Sequence, residues 1–586
     1  MFTIRFATEL HPPDESITVR SAATGWTEDL PGVFTEGAWL FRVEDDGWFE
    51  FKFVLDGATW MEGANLTVAG VAGADYAFGD DVVAFRPLPA VVTENGRVQQ
   101  LLFRPDYDEQ KVYDVIVIGS GMGGGLIADQ LADAGRDVLV LEAGSYLFPS
   151  HVGNLPRRLP LGRFDKNVWG LWQDFRVVNY VNAPGSQFAG GQAFNLGGRS
   201  VFWGGLIPRM GEWELKDWPA AVQEYLTTVG YRRAEDNLNR NGPLGSAYQE
   251  RVKALLGGVL PAFAHLDAPV AVQYQGYTPA SIPGGLFSTA DLLSEDRLVD
   301  APNRAKPTIN LNHAVQRVLH DGDRATGVVS WDLLGGRERR YHGDVVVLCA
   351  GTIESAKIAL QSGLRDPAGK IGTGITDHTI AYTHFSLPPD RPLAAVDQSA
   401  KVWSRHWQVT RTEHPYNVVV ELGADFNQGR YVDPDHLAEH RRRKGDATLG
   451  EIVFLFETPL IDRNTVALNG GPAAPVTVDV ARAPVADAVW AEVVQIKNDV
   501  LDALGAEEVQ GEDLDLARAG LGGVAHEVGT LRMADDGTGV VDADLRFLAY
   551  DNLYVCDNSV FASSPAANPT LTLAALALRL GDHLTQ

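Results

Sequence analysis

The sequence predicts a mixed α/β protein (α+β over its whole length). A Rossmann-like dinucleotide-binding domain is expected to be interrupted by a domain built on a β-sheet and preceded by an all-β sandwich. Three observations carry this. A strand–glycine turn–helix–strand pattern occupies Val112–Gly144. Aromatic-rich segments alternating at period two fill the first hundred or so residues, and β-like runs recur between about residues 376 and 519 before apolar strand and helix patterns return at the end.

In chain order, Trp48–Leu55 (WFEFKFVL) alternates aromatic and polar residues between the turn signals Asp45-Asp46-Gly47 and Asp56-Gly57. This is the pattern of a half-buried strand. Ile17–Arg20, Ala38–Val43 and Asn65–Val68 are further short strands, so residues 1–105 are expected to form a small antiparallel sandwich. Val98–Gln110 leads out of it.

Val115–Ile118 is an unbroken apolar run, as in a parallel strand buried on both faces. It ends in Gly119-Ser120-Gly121-Met122-Gly123-Gly124, which fits G-x-G-x-x-G. A helical pattern through Leu126, Ile127, Leu131 and Ala132 leads to a second apolar strand, Val138–Leu141, and then Glu142. Gly119 permits the tight turn, Gly121 lets backbone approach a pyrophosphate, and the helix N-terminus offers unpaired N–H groups to that anion. Glu142 is placed to accept hydrogen bonds from the ribose hydroxyls of an adenosine, and an acid there argues against NADP. FAD and NAD remain open on this evidence.

Residues from Gly144 to Gly198 are loop-rich, with prolines at 149, 156, 160 and 184. The segment Gly197-Gly198-Arg199-Ser200-Val201-Phe202-Trp203-Gly204-Gly205 suits backbone lying close to a flat, extended ligand. Trp213 to about Pro283 reads as mostly helical. Ile309–Val318, Ala325–Trp331 and Val345–Ala350 read as strands of a returning sheet, followed by a helix over Ile353–Ser362. Ile380–Leu387, Val418–Leu422, Ile452–Phe456 and Thr465–Leu468 are strands of the inserted domain, and Val485–Leu504 is a helix that starts after Pro484. The dinucleotide domain is therefore expected in three pieces, 106–205, 291–375 and 520–586, with the substrate domain at 206–290 and 376–519.

The last stretch holds His526-Glu527-Val528-Gly529-Thr530, the short strand Leu553–Cys556 ending in Asp557, and Asn568-Pro569-Thr570-Leu571-Thr572. Asn568 is expected to cap an apolar, buried helix, with Pro569 at its first position. The unpaired N–H groups from Thr570 onward would need an acceptor, and a flavin's pyrimidine oxygen would serve.

Composition narrows the classes further. With 49 Lys and Arg against 76 Asp and Glu, the net charge is −27, which disfavours nucleic acid and anionic membrane as partners. The N-terminus lacks the features of a signal peptide and no apolar run is long enough to span a bilayer, so a cytoplasmic location is expected. The two cysteines, Cys349 and Cys556, lie in apolar runs and are expected as buried free thiols, with no cysteine-based metal site. A short basic run, Arg441–Lys444, reads as a solvated face.

Taken together these motifs resemble the glucose–methanol–choline (GMC) family of FAD-dependent oxidoreductases over roughly residues 106–586, with most likeness to pyranose oxidases and bacterial glycoside 3-oxidases. The N-terminal region resembles Ig-like starch-binding modules, with Trp39 or Trp60 as sugar-stacking candidates. The resemblance implies FAD as cofactor. His526 would be the catalytic base and Asn568 its partner, Glu142 would hold the adenosine ribose, the backbone of Val315 would meet the adenine, and Asp557 would lie near the pyrophosphate and ribityl chain. Phe202 stands where fungal pyranose oxidases carry the histidine that bonds FAD, so the cofactor is expected to be non-covalent. The implied reaction takes a secondary hydroxyl, at C2 or C3 of a pyranose or glycoside, to a ketone, with oxygen or a quinone-type acceptor reoxidising the flavin. A bulky non-sugar alcohol such as a sterol, or a glycan-binding protein with a structural flavin domain, are the alternatives.

Overall fold

A computed structural model of the protein describes the whole chain except residues 9, 12, 58, 62–64, 81, 84, 86–102, 104, 155–171, 173–174, 239–245, 274–284, 299–305, 396–397, 408–412, 424–446 and 510–511. The basic run at 441–444, the prolines at 156 and 160 and most of the first half of 98–110 fall outside the described residues. The chain divides into two compact units, one formed by Met1–Ala90 with Leu468–Val476, the other by Val91–Ala467 with Thr477–Gln586.

The first unit is a two-sheet sandwich. One sheet runs Val33–Thr35, Ala38–Val43, Phe2–Ala7, Asp75–Gly79; the other is centred on Trp48–Leu55, flanked by Ile17–Ser21, Thr59–Trp60 and Leu66–Ala69. The period-two pattern sets the faces of Trp48–Leu55: Phe49, Phe51 and Phe53 point into an aromatic core with Phe2, Phe6 and Phe41, while Trp48 and Glu50 are exposed. The sandwich is not wholly antiparallel, because Phe2–Ala7 pairs parallel with Asp75–Gly79. Trp39 is part of this core at 6% exposure, whereas Trp60 is 37% exposed. Trp39 is thereby excluded as a sugar-stacking surface.

The second unit holds a seven-stranded central sheet in the order Thr308–Leu311, Val138–Glu142, Val112–Ile118, Arg337–Leu348, Arg324–Asp332, His313–Asp321, with Leu553–Val555 pairing parallel to Arg337–Leu348. Its parallel half carries Val115, Ile116, Val117 and Leu139, Val140, Leu141 as near-continuous buried runs, and the helices Met122–Asp133, Thr352–Gln361 and Thr570–Thr585 pack within the same core. The single strand expected over 309–318 is two strands, broken at Asn312, which adopts φ of 60°. An Asn tolerates this left-handed turn at small cost.

A six-stranded antiparallel sheet, ordered Phe263–Asp267, Ala400–His406, Tyr416–Leu422, Thr448–Phe456, Ile380–Leu387, Ala517–Arg518, forms the inserted part. One face buries Val402, Val418, Val420, Ile452 and Phe454 against the helices Ala247–Val259 and Asp487–Leu504. The other face carries Ile380, Trp403, Val419, Val453 and Leu455 with Leu206 and Ala519. Among the described residues of the segment expected as mostly helical over 213–283, helix extends through Val259 and the edge strand Phe263–Asp267 follows. No helix among the described residues is long and apolar enough to cross a membrane.

Candidate active site

The strand Val112–Ile118 delivers Gly119 at φ of 96°, a conformation open to glycine, and a Cβ there would come within 2.5 Å of the Cys349 carbonyl oxygen. The helix Met122–Asp133 starts immediately afterwards, with Gly121 as its N-cap. Gly123 and Gly124 are forced by packing: a Cβ would lie 2.0 Å from the Cys556 oxygen at the first and 2.0 Å from the Gly119 oxygen at the second. Gly121 differs. Among the described residues, no atom beyond its chain neighbours lies within 4 Å of a Cβ placed on it, so its side-chain position faces open space at the mouth of the helix, among N–H groups with no intrahelical partner.

Glu142, at the end of the adjacent strand, is buried. One of its oxygens accepts hydrogen bonds from Ser120 N (3.0 Å) and Ser120 Oγ (2.6 Å), and the other accepts from Gly144 N (2.8 Å). Burial pushes its carboxyl upward, and these bonds oppose the shift. Ser120 Oγ in turn accepts from Gly197 N at 2.9 Å, which ties the second glycine loop to the first. Gly198, at φ of 51°, stands so close that a Cβ would be 3.2 Å from the Gly121 Cα. Ser200 donates to the Gly197 carbonyl at 2.6 Å and accepts from Thr289 N at 3.0 Å, so it braces the loop. Trp203 donates its indole N–H to the Phe287 carbonyl at 2.8 Å, and Gly204 beside it is exposed. Asp557 clamps the far side: it accepts from Gly351 N (2.9 Å), Ser355 Oγ (2.5 Å) and Ser559 N (2.8 Å). Val315 lies at a bulge in the strand His313–Asp321.

The glycine cradle, the open position at Gly121, the unpaired helix N–H groups and the buried acid one strand away together fit the diphosphate and ribose of a dinucleotide.

At the other end of the unit, His526 and Asn568 meet. Asn568 Nδ2 lies 3.3 Å from His526 Nε2, and Asn568 Oδ1 is buried without a hydrogen-bond partner. Asn568 is not the helix cap expected from its sequence position. The helix begins at Thr570, with Pro569 as N-cap and no capping side chain. The turn before it is held instead by Glu214, whose Oε1 accepts from Ala567 N at 2.7 Å and whose Oε2 accepts from Gly211 N at 2.6 Å and meets Arg405 at 3.2 Å. With Glu214 fixing the backbone, the Asn568 amide is turned to His526.

Sequence reasoning missed two groups here. His378 Nε2 lies 2.9 Å from His526 Nδ1, and its Nδ1 lies 2.8 Å from the Pro565 carbonyl oxygen. The cause is strand register: Thr376 pairs with Val528 in an antiparallel bridge, so two residues outward on each side His378 comes opposite His526. Nothing in Thr376-Asp377-His378-Thr379 advertises this before the pairing is known. Asp377 is buried beside them, and burial, with the Glu527 charge adding, pushes its carboxyl up to about 8. Glu527 itself pairs with Arg199 at 2.6 Å.

Residues 293–380 and 476–577 match the two family descriptions of GMC oxidoreductase. Among curated proteins the chain is similar to paromamine 6'-oxidase of Streptomyces fradiae, 26% identical over 80% of this chain and 91% of that protein. The chain is therefore similar to GMC oxidoreductases in these two segments. It is an oxidoreductase acting on CH–OH groups, and its cofactor is FAD. A second relative, 6'''-hydroxyparomomycin C oxidase of Streptomyces lividus, is 27% identical over 81% of this chain and 92% of that one. A solved structure of Aspergillus oryzae RIB40 formate oxidase superposes with a TM-score of 0.56 at 15% identity over 81% of this chain and 98% of its own, a likeness of fold.

Proposed function

We propose that this protein is a GMC oxidoreductase that converts a secondary hydroxyl of a pyranose sugar or glycoside, at C2 or C3, to a ketone. His526 takes the hydroxyl proton and Asn568 orients the substrate oxygen. The observation that carries this reading is the pair itself: an imidazole Nε2 and an amide 3.3 Å apart, with the amide oxygen Oδ1 buried and unbonded. An imidazole titrates near neutrality and suits proton transfer from an alcohol. The Asn568 Oδ1 has an accepting lone pair for a second substrate hydroxyl. FAD, when bound, would supply the acceptor for the hydride that leaves carbon. Glu142 would hold the adenosine ribose, Asp557 and the Gly121 turn the diphosphate region, and the backbone near Val315 the adenine.

FAD is held without a covalent bond in this reading. Phe202 is buried in an aromatic cluster with Phe148, Trp172 and Phe175, which offers no nucleophile at that position. The relatives named for paromamine and paromomycin support a sugar-type substrate. Their names also specify 6-type positions, and position 6 of a hexopyranose carries a primary hydroxyl. Oxidation of a primary hydroxyl to an aldehyde is therefore the second reading. In the N-terminal sandwich, Trp60 with Trp26 at 6.2 Å between ring centroids and Arg20 over the Trp60 ring at 5.2 Å is the glycan-contact candidate.

An anaerobic absorbance titration tests the reading. Pyranoses and glycosides should bleach the oxidised flavin bands, and product analysis should give a ketone at C2 or C3. An aldehyde at C6 would replace the first reading by the second, and bleaching only by a sterol would discard both. Readmitting air should restore the bands at once if oxygen is the acceptor, and only after addition of a quinone if it is not.

A further inference from the structure

We infer that His378 is a positioning residue that fixes the tautomer of His526, leaving His526 Nε2 as the unprotonated, base-competent nitrogen facing Asn568. The inference rests on the assignment of His526 as base and extends it to a residue outside the expected site.

The proton order is set along a chain of hydrogen bonds by a group that cannot reverse. The Pro565 carbonyl only accepts, so the His378 Nδ1 at 2.8 Å must carry the proton and donate. A neutral His378 then presents a lone pair at Nε2. His526 Nδ1, at 2.9 Å, must donate to it and therefore carries its own proton at Nδ1. The lone pair of His526 is left at Nε2, where the Asn568 amide N–H₂ can donate across 3.3 Å. Each bond satisfies the next, and reversing any of them would set two donors or two acceptors against each other.

Burial favours the neutral state this order requires. His378 is 3% exposed, and a second positive charge next to His526 would be both desolvated and repelled. The titratable groups around the pair are Asp377, whose carboxyl lies 4.0 Å from His378 Nε2, Glu527 with its partner Arg199, and Arg482, which acts on Asp377. Asp377, with its carboxyl pushed up to about 8, is mostly neutral at pH 7 and does not hold His378 charged. When His526 accepts the substrate proton at Nε2, the Nδ1–H bond to His378 stays in place and becomes charge-assisted, which stabilises the imidazolium. The arrangement gives His378 the orienting role that a carboxylate performs for the base in a serine-hydrolase triad, here carried by a neutral ring locked by a backbone carbonyl.

The test uses the FAD-loaded enzyme with ¹⁵N-labelled histidine. In the wild type, His526 should show a protonated Nδ1 and an unprotonated Nε2 in imidazole ¹⁵N spectra, assigned by comparison with His526→Ala. In His378→Leu, the acceptor is gone, and His526 should move toward the Nε2–H form. Anaerobic flavin reduction should slow at least about tenfold with little change in half-saturating substrate, and the acidic limb of its pH profile should shift to lower pH, because the imidazolium of His526 loses its charge-assisted bond. His378→Gln, whose amide oxygen can accept from His526 Nδ1, should restore the wild-type tautomer and most of the rate. A wild-type His526 protonated at Nε2, an unaltered tautomer in His378→Leu, or a Gln variant as slow as the Leu variant would overturn the inference. So would one equivalent of tightly bound divalent metal in the isolated protein that His378→Leu abolishes, since Asp377, His378 and His526 present ligand atoms within 4.8 Å of one another. If His378→Leu fails to fold, the wild-type spectrum and the Gln variant decide. The spectrum also separates this inference from the base assignment: a normal tautomer combined with full activity in His526→Ala would remove the base and leave the hydrogen-bond order standing.

Discussion

In the glycine turn Gly119–Gly124 the working parts are backbone N–H groups and missing side chains, all within one strand–turn–helix. Around His526 they are four side chains from widely separated segments (His378, Glu214, His526 and Asn568), Glu214 lying 353 positions from the Ala567 it holds, brought together by an antiparallel bridge and a buried carboxylate. The first site is a property of local sequence. The second is a property of the fold, and its parts acquire their roles only through neighbours that the sequence does not announce.

The sharpest way to break this contrast lies inside the cradle. Gly123→Ala places a methyl 2.0 Å from a backbone oxygen in a packed core. It should abolish FAD binding and lower the melting temperature of the FAD-free protein by several degrees. Among the described residues, Gly121→Ala meets no atom beyond its chain neighbours within 4 Å, and it sits at φ of −62°, which alanine adopts freely. It should leave the melting temperature of the FAD-free protein unchanged while weakening FAD binding at least about tenfold, one tenfold step being about 1.4 kcal/mol. Calorimetric titration with FAD and thermal melts check both. Equal loss of stability in the two variants would show that the Gly121 space is part of the packing and not a ligand position.

The next effect concerns chemistry without binding. His526→Ala should keep the flavin spectrum and lose anaerobic reduction by substrate about 10²- to 10⁴-fold, the usual contribution of a positioned base. Asn568→Ala should lose less in rate and more in apparent substrate affinity, because its amide orients and does not take the proton. It should also leave the melting temperature near the wild-type value, since the helix at Thr570 has no side-chain cap to lose. A drop of more than about 1 kcal/mol in stability would mean that the amide does cap the helix.

The same contrast explains what was legible beforehand. The parallel strands, the glycine turn, Glu142 and the order of the C-terminal segments follow from periodicity and local motif, and they position the cradle. His526 and Asn568 were legible as residues, through likeness to a family. Their geometry was not: Asn568 in front of Pro569 has every local feature of a cap, and only Glu214, some 350 positions earlier, explains why its amide is free to turn away. Pairing register placed His378 and Asp377 in the site, and a register is decided by which strands meet. In the N-terminal sandwich, Trp39 and Trp60 look alike in sequence, and the fold buries one and exposes the other.

The smallest effect tests whether the buried surroundings of the imidazole pair carry a cost that the cradle does not. The Asp377 carboxyl is pushed up to about 8 in the folded protein, against about 4 in an unfolded chain. A group whose folded value is raised contributes stability that is fully present below about pH 4 and is lost as pH climbs toward about 8, because over that window the unfolded chain releases the proton first. The slope is at most about 1.4 kcal/mol per pH unit, which in a unit of this size corresponds to roughly 1–2 °C. Asp377→Asn removes the titration and keeps the shape. Its melting temperature should therefore gain on the wild type steadily between pH 5 and pH 8. Parallel curves would mean that Asp377 is already ionised in the fold, and hence that a positive charge on the neighbouring imidazoles accompanies it, which would also reverse the proton order assigned to His378 and His526.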